Sequence, residues 1–365
     1  MITNLFTIIP SLDQSHLIGA FISYLIGVFI VPFVIDFSQK EGLVDVPNER
    51  KIHKAPISRL GGIAIWSSSM LTFLVLVILN FYPYGNLLSG ILLGGSLMFA
   101  LGLVDDIYNL NAKFKLLIQL SIATIVYFLG VKIDMTSILS IFGFTDFAWL
   151  TNSFVTMAFG IVSYIITMFW IVGISNAVNF IDGVDGLAGS VITVSSITLA
   201  IVSAAMGQPY TALIGFILAG SMLAFLTFNF NPAKIFMGDS GALFSGFLLA
   251  TLSIAGVMKG ATLAILLPFI VLVVPIVDIT FSSLRRIMKG TSPFVADAEH
   301  IHHKLLKAGF SQKKTVAILT SVAIIGGAVA TCFIGSLKHY FYCIGILLLI
   351  MVALSLINAF TNHKD

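Results

Sequence analysis

The sequence predicts an all-α, polytopic integral membrane helix bundle of about eleven transmembrane helices. Three observations predict it. The 365 residues are 58% hydrophobic and only 10% charged, against about 45–50% and about 25% in a soluble domain, and mean hydropathy is +1.06. Apolar runs of the length a bilayer demands, about 20 residues, recur along the whole chain. The basic residues collect in alternate gaps between those runs. A soluble globular protein, a disordered chain and a free-standing nucleic-acid binder are excluded. The strands of a membrane β-barrel would be about half as long as these runs.

The runs lie near residues 17–36, 60–82, 87–104, 113–131, 154–175, 187–206, 210–228, 241–258, 261–284, 315–336 and 340–360. The runs at 154–175 and 241–258 have the least distinct ends, because the loops beside them are apolar too. Eleven spans put the termini on opposite sides. Sixteen of the nineteen Lys and Arg residues then share one side, and only Lys132, Lys259 and Lys338 lie on the other. By the positive-inside rule the N-terminus is external and the C-terminus cytoplasmic. Of sixteen acidic residues only Asp13, Asp134 and Asp146 fall outside. No repeat, linker or low-complexity stretch divides residues 1–365, so one transmembrane domain is expected. The N-terminus lacks the basic region of a cleavable signal peptide, since the first basic residue is Lys40. Cys332 and Cys343 form neither metal spacing nor a disulfide framework.

The inner loops, near 37–59, 105–115, 176–186, 229–240 and 285–314, each carry an unusual polar cluster. In the first, Asp45-Val-Pro-Asn-Glu-Arg50-Lys-Ile-His53-Lys54 is followed by Arg59 and Gly61-Gly62. Lys40 and Lys54 suit attraction to anionic lipid. Arg59 and His53 beside glycines that permit close backbone approach suit a phosphate. In the second, Asp105-Asp106 ends a span and Lys115 begins the next. Adjacent carboxylates at a membrane boundary call for a cation, a shared proton or a raised pKa; the alternative is a solvated turn.

The third cluster spaces Asn179, Asp182 and Asp185 by three, with Gly183 and Gly186 between. It lacks the closing glutamate of a calcium loop. Irregular backbone at membrane depth needs protein or a wet cavity around it, so metal and nucleotide binding stands against a capped structural turn. The fourth, Asn229-Phe-Asn231-Pro-Ala-Lys234-Ile-Phe236-Met-Gly238-Asp239-Ser-Gly241, places Asp239 at a helix start, either as an N-cap or as a hard-metal ligand. Phe236 is either core or a platform for a base. The fifth joins Arg285-Arg286 to Asp297-Ala-Glu-His300-Ile-His302-His303. With no cysteine and no H-E-x-x-H spacing, a zinc site is unsupported; a cationic loop over phosphates, or one on the membrane surface, fits. Asp278 is either a further pocket residue or a polar contact between helices.

In this order the strings D-x-P-N-x-R-x-x-H, D-D-x-x-x-L-x-x-x-x-K, N-x-x-N-x-x-D-G-x-D-G-L-A, N-P-A-K-x-F-M-G-D-x-G and D-x-x-H-I-H-H resemble the polyprenyl-phosphate N-acetylhexosamine-1-phosphate transferases (glycosyltransferase family 4). Within that family they are most similar to the WecA/TagO-like branch that begins O-antigen, common-antigen or teichoic-acid synthesis. The resemblance covers about residues 42–308. The sister family that transfers phospho-MurNAc-pentapeptide has three consecutive histidines where His300-Ile301-His302-His303-Lys304 stands here, which points to a simple N-acetylhexosamine donor.

The resemblance implies a bacterial inner-membrane enzyme whose inner loops form one cytoplasmic active site. Undecaprenyl (polyprenyl) phosphate would attack a UDP-N-acetylhexosamine, chiefly UDP-GlcNAc, and release UMP. It also implies roles. Asp239 and Asn179 would hold Mg²⁺ (or Mn²⁺). Asp105 or Asp106 would place the lipid phosphate or keep it deprotonated, with Asp182 shaping or charging the nucleotide pocket. Lys115 would hold a phosphate, Asp185 meet the uracil and Phe236 stack on it. Arg285, Arg286, His300, His302 and His303 would form a mobile cover for diphosphate or sugar. No nucleic-acid partner is implied, and small-residue patches leave a homodimer open. A same-fold enzyme using another UDP-sugar, an ion-coupled transporter and a membrane scaffold are the competing readings. A transporter would carry acids near the bilayer midplane and paired repeats, and neither is seen.

Overall fold

A computed structural model describes residues 14–46, 56–80, 85–135, 153–257, 266–290 and 300–361. His53 and the run Thr291–Glu299, with Asp297, lie outside the described residues. Thirteen α-helices carry the described chain: α1 Gln14–Lys40, α2 Gly61–Ile78, α3 Asn86–Tyr108, α4 Ala112–Phe128, α5 Ser153–Ile181, α6 Leu187–Ala205, α7 Pro209–Asn229, α8 Gly238–Leu252, α9 Leu267–Val271, α10 Val273–Met288, α11 Ile301–Lys307, α12 Gln312–Phe333 and α13 Leu337–Thr361. Every predicted run carries helix. Eight of the helices are long and apolar enough to cross a membrane. The coarse expectation, a polytopic membrane helix bundle, agrees with this.

Two departures have local causes. The run at 261–284 is broken into α9 and α10, which meet at Leu272. Pro268 and Pro275 lie in the first turns of those helices, where a missing N–H costs least. A small strand pair also interrupts the all-α plan: β1 (Val44–Asp45) pairs antiparallel with β2 (Ile57–Ser58), Val44 opposite Ser58 and Asp45 opposite Ile57.

Burial orders the helices from centre to rim. The apolar windows of α6 and α8 are wholly buried, that of α7 is 83% buried, and that of α1 only 28%. A helix buried on all sides must hide its own polar atoms. In α6 the hydroxyls of Thr193, Ser196 and Thr198 turn back to the carbonyls of Gly189, Ile192 and Val194, each at 2.7 Å. These three residues therefore sit at the centre of the bundle with their hydroxyls met, whereas the Ser190 and Ser203 hydroxyls of the same helix are buried without a partner among the described residues. The small size of serine and threonine lets neighbouring backbones approach. Around this centre α7 packs on α1 and α6, α8 on α3 and α5, and α12 on α6.

The strand pair ties the chain before α2 to the chain before α8. Ser58 bridges in parallel to Ile235. The Phe236 N–H donates to the Ser58 carbonyl at 2.7 Å, and the Gly61 and Gly62 N–H groups donate to the carbonyls of Phe236 and Met237 at 2.9 Å. The first N–H groups of α2, which no helix can satisfy internally, are thus met by the segment that delivers Asp239.

Candidate active site

Asn179 sits on the last turn of α5, and Gly186, at φ +79°, opens α6. The turn between them holds Asp182 and Asp185. Asn229, at the end of α7, clamps that turn to the next loop: its Oδ1 accepts from the Gly186 N–H at 2.9 Å and its Nδ2 donates to the Ile235 carbonyl at 2.7 Å. Asp185 Oδ2 accepts from Asn231 Nδ2 at 2.9 Å and from the Ala233 N–H at 3.2 Å. Asn231 Nδ2 also donates to Gln312 Oε1 at 2.8 Å, at the start of α12.

The start of α8 is capped from α3. Asp106 Oδ1 accepts from the Asp239 N–H at 2.8 Å, and its Oδ2 accepts from the Ser240 N–H at 3.0 Å and the Ser240 hydroxyl at 2.7 Å. A carboxylate at a helix N-terminus meets unsatisfied N–H groups and the positive end of the dipole. Gly238 makes this approach possible. Its φ is +70°, and a Cβ there would lie 2.2 Å from the Arg59 carbonyl oxygen and 2.7 Å from the Asp106 carboxylate. Gly62 serves the same junction, since a Cβ on it would lie 2.2 Å from the Gly241 nitrogen. The Gly-Gly pair beside Arg59 therefore admits the α8 backbone rather than a ligand.

Asp105 turns the other way. Its Oδ1 accepts from the Leu110 N–H at 2.6 Å, closing the turn into α4, and its Oδ2 accepts from Lys115 Nζ at 2.8 Å. Lys115 donates to Asp239 Oδ2 as well. One ammonium thus joins the end of α3 to the start of α8.

A cavity of about 970 Å³ opens against these elements, walled by Asn179, Asp182, Asp185, Asn231, Phe236 and Asp239, with Arg59, Asp45, His303 and Gln312 at its edges. From α1 to α8 the contributing residues come from the C-terminal ends of odd-numbered helices and the N-terminal ends of even-numbered ones. Segments as far apart in sequence as Ile35 and Gln312 therefore meet at one end of the bundle. Arg59 Nε lies 3.8 Å from Asp45.

The charge balance at the wall is uneven. No described residue donates a hydrogen bond to the Asp182 carboxylate. Loss of bulk water, then the fields of Asp239, Asp106 and Asp185, push its pKa up to about 7. A surplus of negative charge at a cavity wall calls for a cation. The donors there, the Asp239 and Asp182 carboxylates and the Asn179 amide, are hard oxygens of the kind magnesium takes. Among the described residues no three His, Cys, Asp or Glu side chains form a ready-made cage, which suits an ion held by one or two carboxylates plus substrate phosphates. The residues present fit Mg²⁺ better than zinc or calcium.

The histidines divide. His303 lines the cavity. His300 and His302 are buried, 6% and 2% exposed. Burial, with His303 and His300 nearby, pushes His302 down to about 4, so it is neutral at physiological pH. Neither Arg285 nor Arg286 is on the cavity wall, and Arg286 is buried on the inner stripe of α10. Asp105, Asp106 and Lys115 stand one layer behind the wall and support Asp239. Sequence reasoning left Asn229, Ser240 and Gln312 without a role. Asn229 had a signal, standing two residues before Asn231 in a quoted string, but Gln312 had none.

A polytopic helix bundle with an acid-lined cavity built from inter-helix loops is the class that the fold and site define. The description "Glycosyl transferase family 4" matches residues 88–257. Of similar proteins, one from Bacillus subtilis (strain 168), named "Probable undecaprenyl-phosphate N-acetylglucosaminyl 1-phosphate transferase", is 36% identical over 85% of this chain and 83% of its own length. The decaprenyl-phosphate N-acetylglucosaminephosphotransferase of Mycolicibacterium smegmatis is 31% identical over 87% and 81%. The undecaprenyl-phosphate alpha-N-acetylglucosaminyl 1-phosphate transferase of Escherichia coli (strain K12) is 29% identical over 83% and 79%. The chain belongs to glycosyl transferase family 4.

Proposed function

We propose that this protein transfers GlcNAc-1-phosphate from UDP-GlcNAc to undecaprenyl (polyprenyl) phosphate, releasing UMP. The reaction would be the first membrane step of a cell-envelope polysaccharide, at the cytoplasmic face of the bacterial inner membrane. The names of the similar proteins support the donor and acceptor. The basic asymmetry of the loops supports the orientation. One observation carries the chemistry: distant loops converge on a cavity whose wall combines carboxylates and an aromatic ring, with the Lys115 ammonium bound to Asp239 from behind.

The transfer exchanges one phosphoanhydride for another. An oxygen of the lipid phosphate bonds to the β-phosphorus of the sugar nucleotide, and the bond from that phosphorus to the bridging oxygen of UMP breaks. Two anions must meet, so catalysis is largely positioning and charge neutralisation. Asp239 and Asn179, with Asp182 beside them, would hold Mg²⁺ (or Mn²⁺), which when bound neutralises diphosphate charge. Lys115 fixes Asp239 from behind and adds a positive charge for a phosphate. Asp185 keeps Oδ2 on Asn231 and Ala233, which leaves its other oxygen to accept from the uracil N–H. Phe236 offers its face to that base, and Arg59 and His303 stand at the rim for phosphate or sugar. Asp105 and Asp106 are both engaged by donors, so they act by holding α4 and α8 in place. The lipid phosphate is already an anion near neutral pH, which favours direct attack.

The test is to incubate the purified protein with Mg²⁺, polyprenyl phosphate and a panel of UDP-sugars and to identify the nucleotide released. UMP with UDP-GlcNAc, abolished by EDTA, is expected. Release of UDP would overturn phosphosugar transfer, and UMP from a different donor alone would overturn the choice of sugar.

A further inference from the structure

Asp278 has no part in the mechanism above, yet its surroundings are elaborate. It shares one stripe of α10 with Ser282 and Arg286, all three buried at four-residue spacing. At 2% exposure it would be costly to leave unpaired, and both its oxygens are taken. Oδ2 lies 2.8 Å from His300 Nδ1, and Oδ1 accepts from the Ile301 N–H at 2.7 Å. The Ser282 hydroxyl is 3.3 Å from the same ring nitrogen. A carboxylate can only accept, so Nδ1 of His300 carries the proton.

From His300 the contacts run to the cavity. Its ring stacks on Phe180 with centroids 5.3 Å apart, and Phe180 follows Asn179 in the chain. His302 lies parallel to it at 5.8 Å, and His302 meets His303, on the cavity wall, at 4.2 Å. On its other side His302 packs on Gly183, where a Cβ would come within 2.4 Å of the ring Nε2. That nitrogen is buried and finds no hydrogen-bond partner among the described residues, so the ring is held by packing and by its tie to His300.

We propose that Asp278 is a positioning residue: by gripping His300 it sets the His-rich segment against the turn that carries Asn179 and Asp182. The role rests on the cavity being the site of phosphosugar transfer. Asp278 touches no substrate and acts through His300 and the two rings beside it.

The experiment compares the full-length chain with Asp278→Ala, Asp278→Asn, His300→Gln and the Asp278→Ala/His300→Gln double variant. Asp278→Ala is expected to lower kcat for UMP release by about 10- to 100-fold, the range for groups that orient site residues, with KM for UDP-GlcNAc little changed. Added to His300→Gln it should cost nothing further, because the two act as a unit. Asp278→Asn keeps an acceptor and should recover much of the loss. Additive losses, or losses that merely follow the fraction of folded protein, would overturn the proposal. A second readout needs no activity. With ¹⁵N-labelled histidine, the wild type should show one ring protonated at Nδ1 in a strong hydrogen bond, absent from both Asp278→Ala and His300→Gln. A wild-type spectrum without that signal sinks the grip itself. A wild type that releases no UMP but shows the signal sinks only the reaction.

Discussion

At the junction of α3 and α8, Asp105, Asp106 and Asp239 each meet a donor, whereas in the turn after α5 Asp182 faces three carboxylates and no described donor. Asp185, three residues on, is anchored by Asn231 and Ala233. The same residue type thus serves two ends. Where donors surround it, the carboxylate welds elements together, although burial still raises the pKa of Asp106 and Asp239. Where like charges surround it, the charge is left for a ligand, and such perturbed groups mark functional sites. Asp239 belongs to both regions, since Lys115 holds it while its carboxylate still borders the cavity. The largest effect is therefore expected there. Asp239→Ala should lower UMP release by about a thousandfold, the several kcal/mol a bound metal contributes. Wild-type-like turnover in that variant would remove it from the metal site.

Exchanging one acid in each region sharpens the contrast. Asp182→Asn should lower turnover by about 100-fold, by weakening charge stabilisation of the diphosphate, without loss of stability. Its carboxyl titrates near 7 in the folded chain, against 3.8 as the ordinary value. Ionising it costs the folded state, so wild-type stability falls as pH rises from about 4 to about 7 and levels off above. The variant escapes that cost, and its advantage in thermal unfolding should be absent near pH 4 and full at pH 8. Asp106→Ala should do the opposite and destabilise the fold, with no gain as pH rises from about 4 to about 8 comparable to that of Asp182→Asn. It strips three donors of their acceptor, at about 1–3 kcal/mol for a buried polar group left unmet. Equal melting curves for the two variants would erase the distinction between the regions.

A proton on Asp182 also competes with the metal. Below pH 7 the carboxyl holds that proton, and a cation must displace it. Apparent Mg²⁺ affinity in nucleotide release should therefore rise by up to about tenfold per pH unit between pH 5.5 and 7, and flatten above, as expected for release of one proton. Asp182→Asn should flatten the slope near pH 7 and leave the part below pH 6 that belongs to Asp239, whose carboxyl is pushed up to about 6 by burial. A wild-type affinity independent of pH over that range would mean that Asp182 lies too far from the ion to feel it.

Much of this was legible from residue order, and the rest was not for a definite reason. Spans announce themselves because the bilayer imposes length and hydropathy, so helices stand on every predicted run, and even the broken run at 261–284 carries its cause in Pro268 and Pro275. The cavity acids are legible because lipid makes polar clusters conspicuous. Partnerships are not legible, because they join residues far apart. Nothing local in Asp105-Asp106 says that one will turn to Lys115, ten residues away, and the other to a helix start 133 residues away. The grip of Asp278 on His300 is hidden for the same reason, since α10 and α11 face each other only once the bundle has formed.

The smallest expected effect tests the anchored side of the comparison. Asn231 donates to Asp185 Oδ2 and to Gln312 Oε1, so it aims the acid proposed to meet uracil without facing the reacting phosphates. Asn231→Ala removes one of the two donors to Asp185 and leaves the Ala233 N–H. The loss of a single hydrogen bond to a charged group is worth about 1.5–3 kcal/mol when complete, and the remaining donor should hold it below that. KM for UDP-GlcNAc is expected to rise about five- to tenfold with kcat nearly unchanged, the pattern of an interaction made equally in the ground and transition states. The Mg²⁺ dependence should stay as in the wild type, because Asp182 and Asp239 are untouched. If Asn231→Ala instead lowers kcat or shifts the metal dependence, Asp185 belongs with Asp182 among the charges that act on the diphosphate, and the line between anchored and unanswered acids must be redrawn.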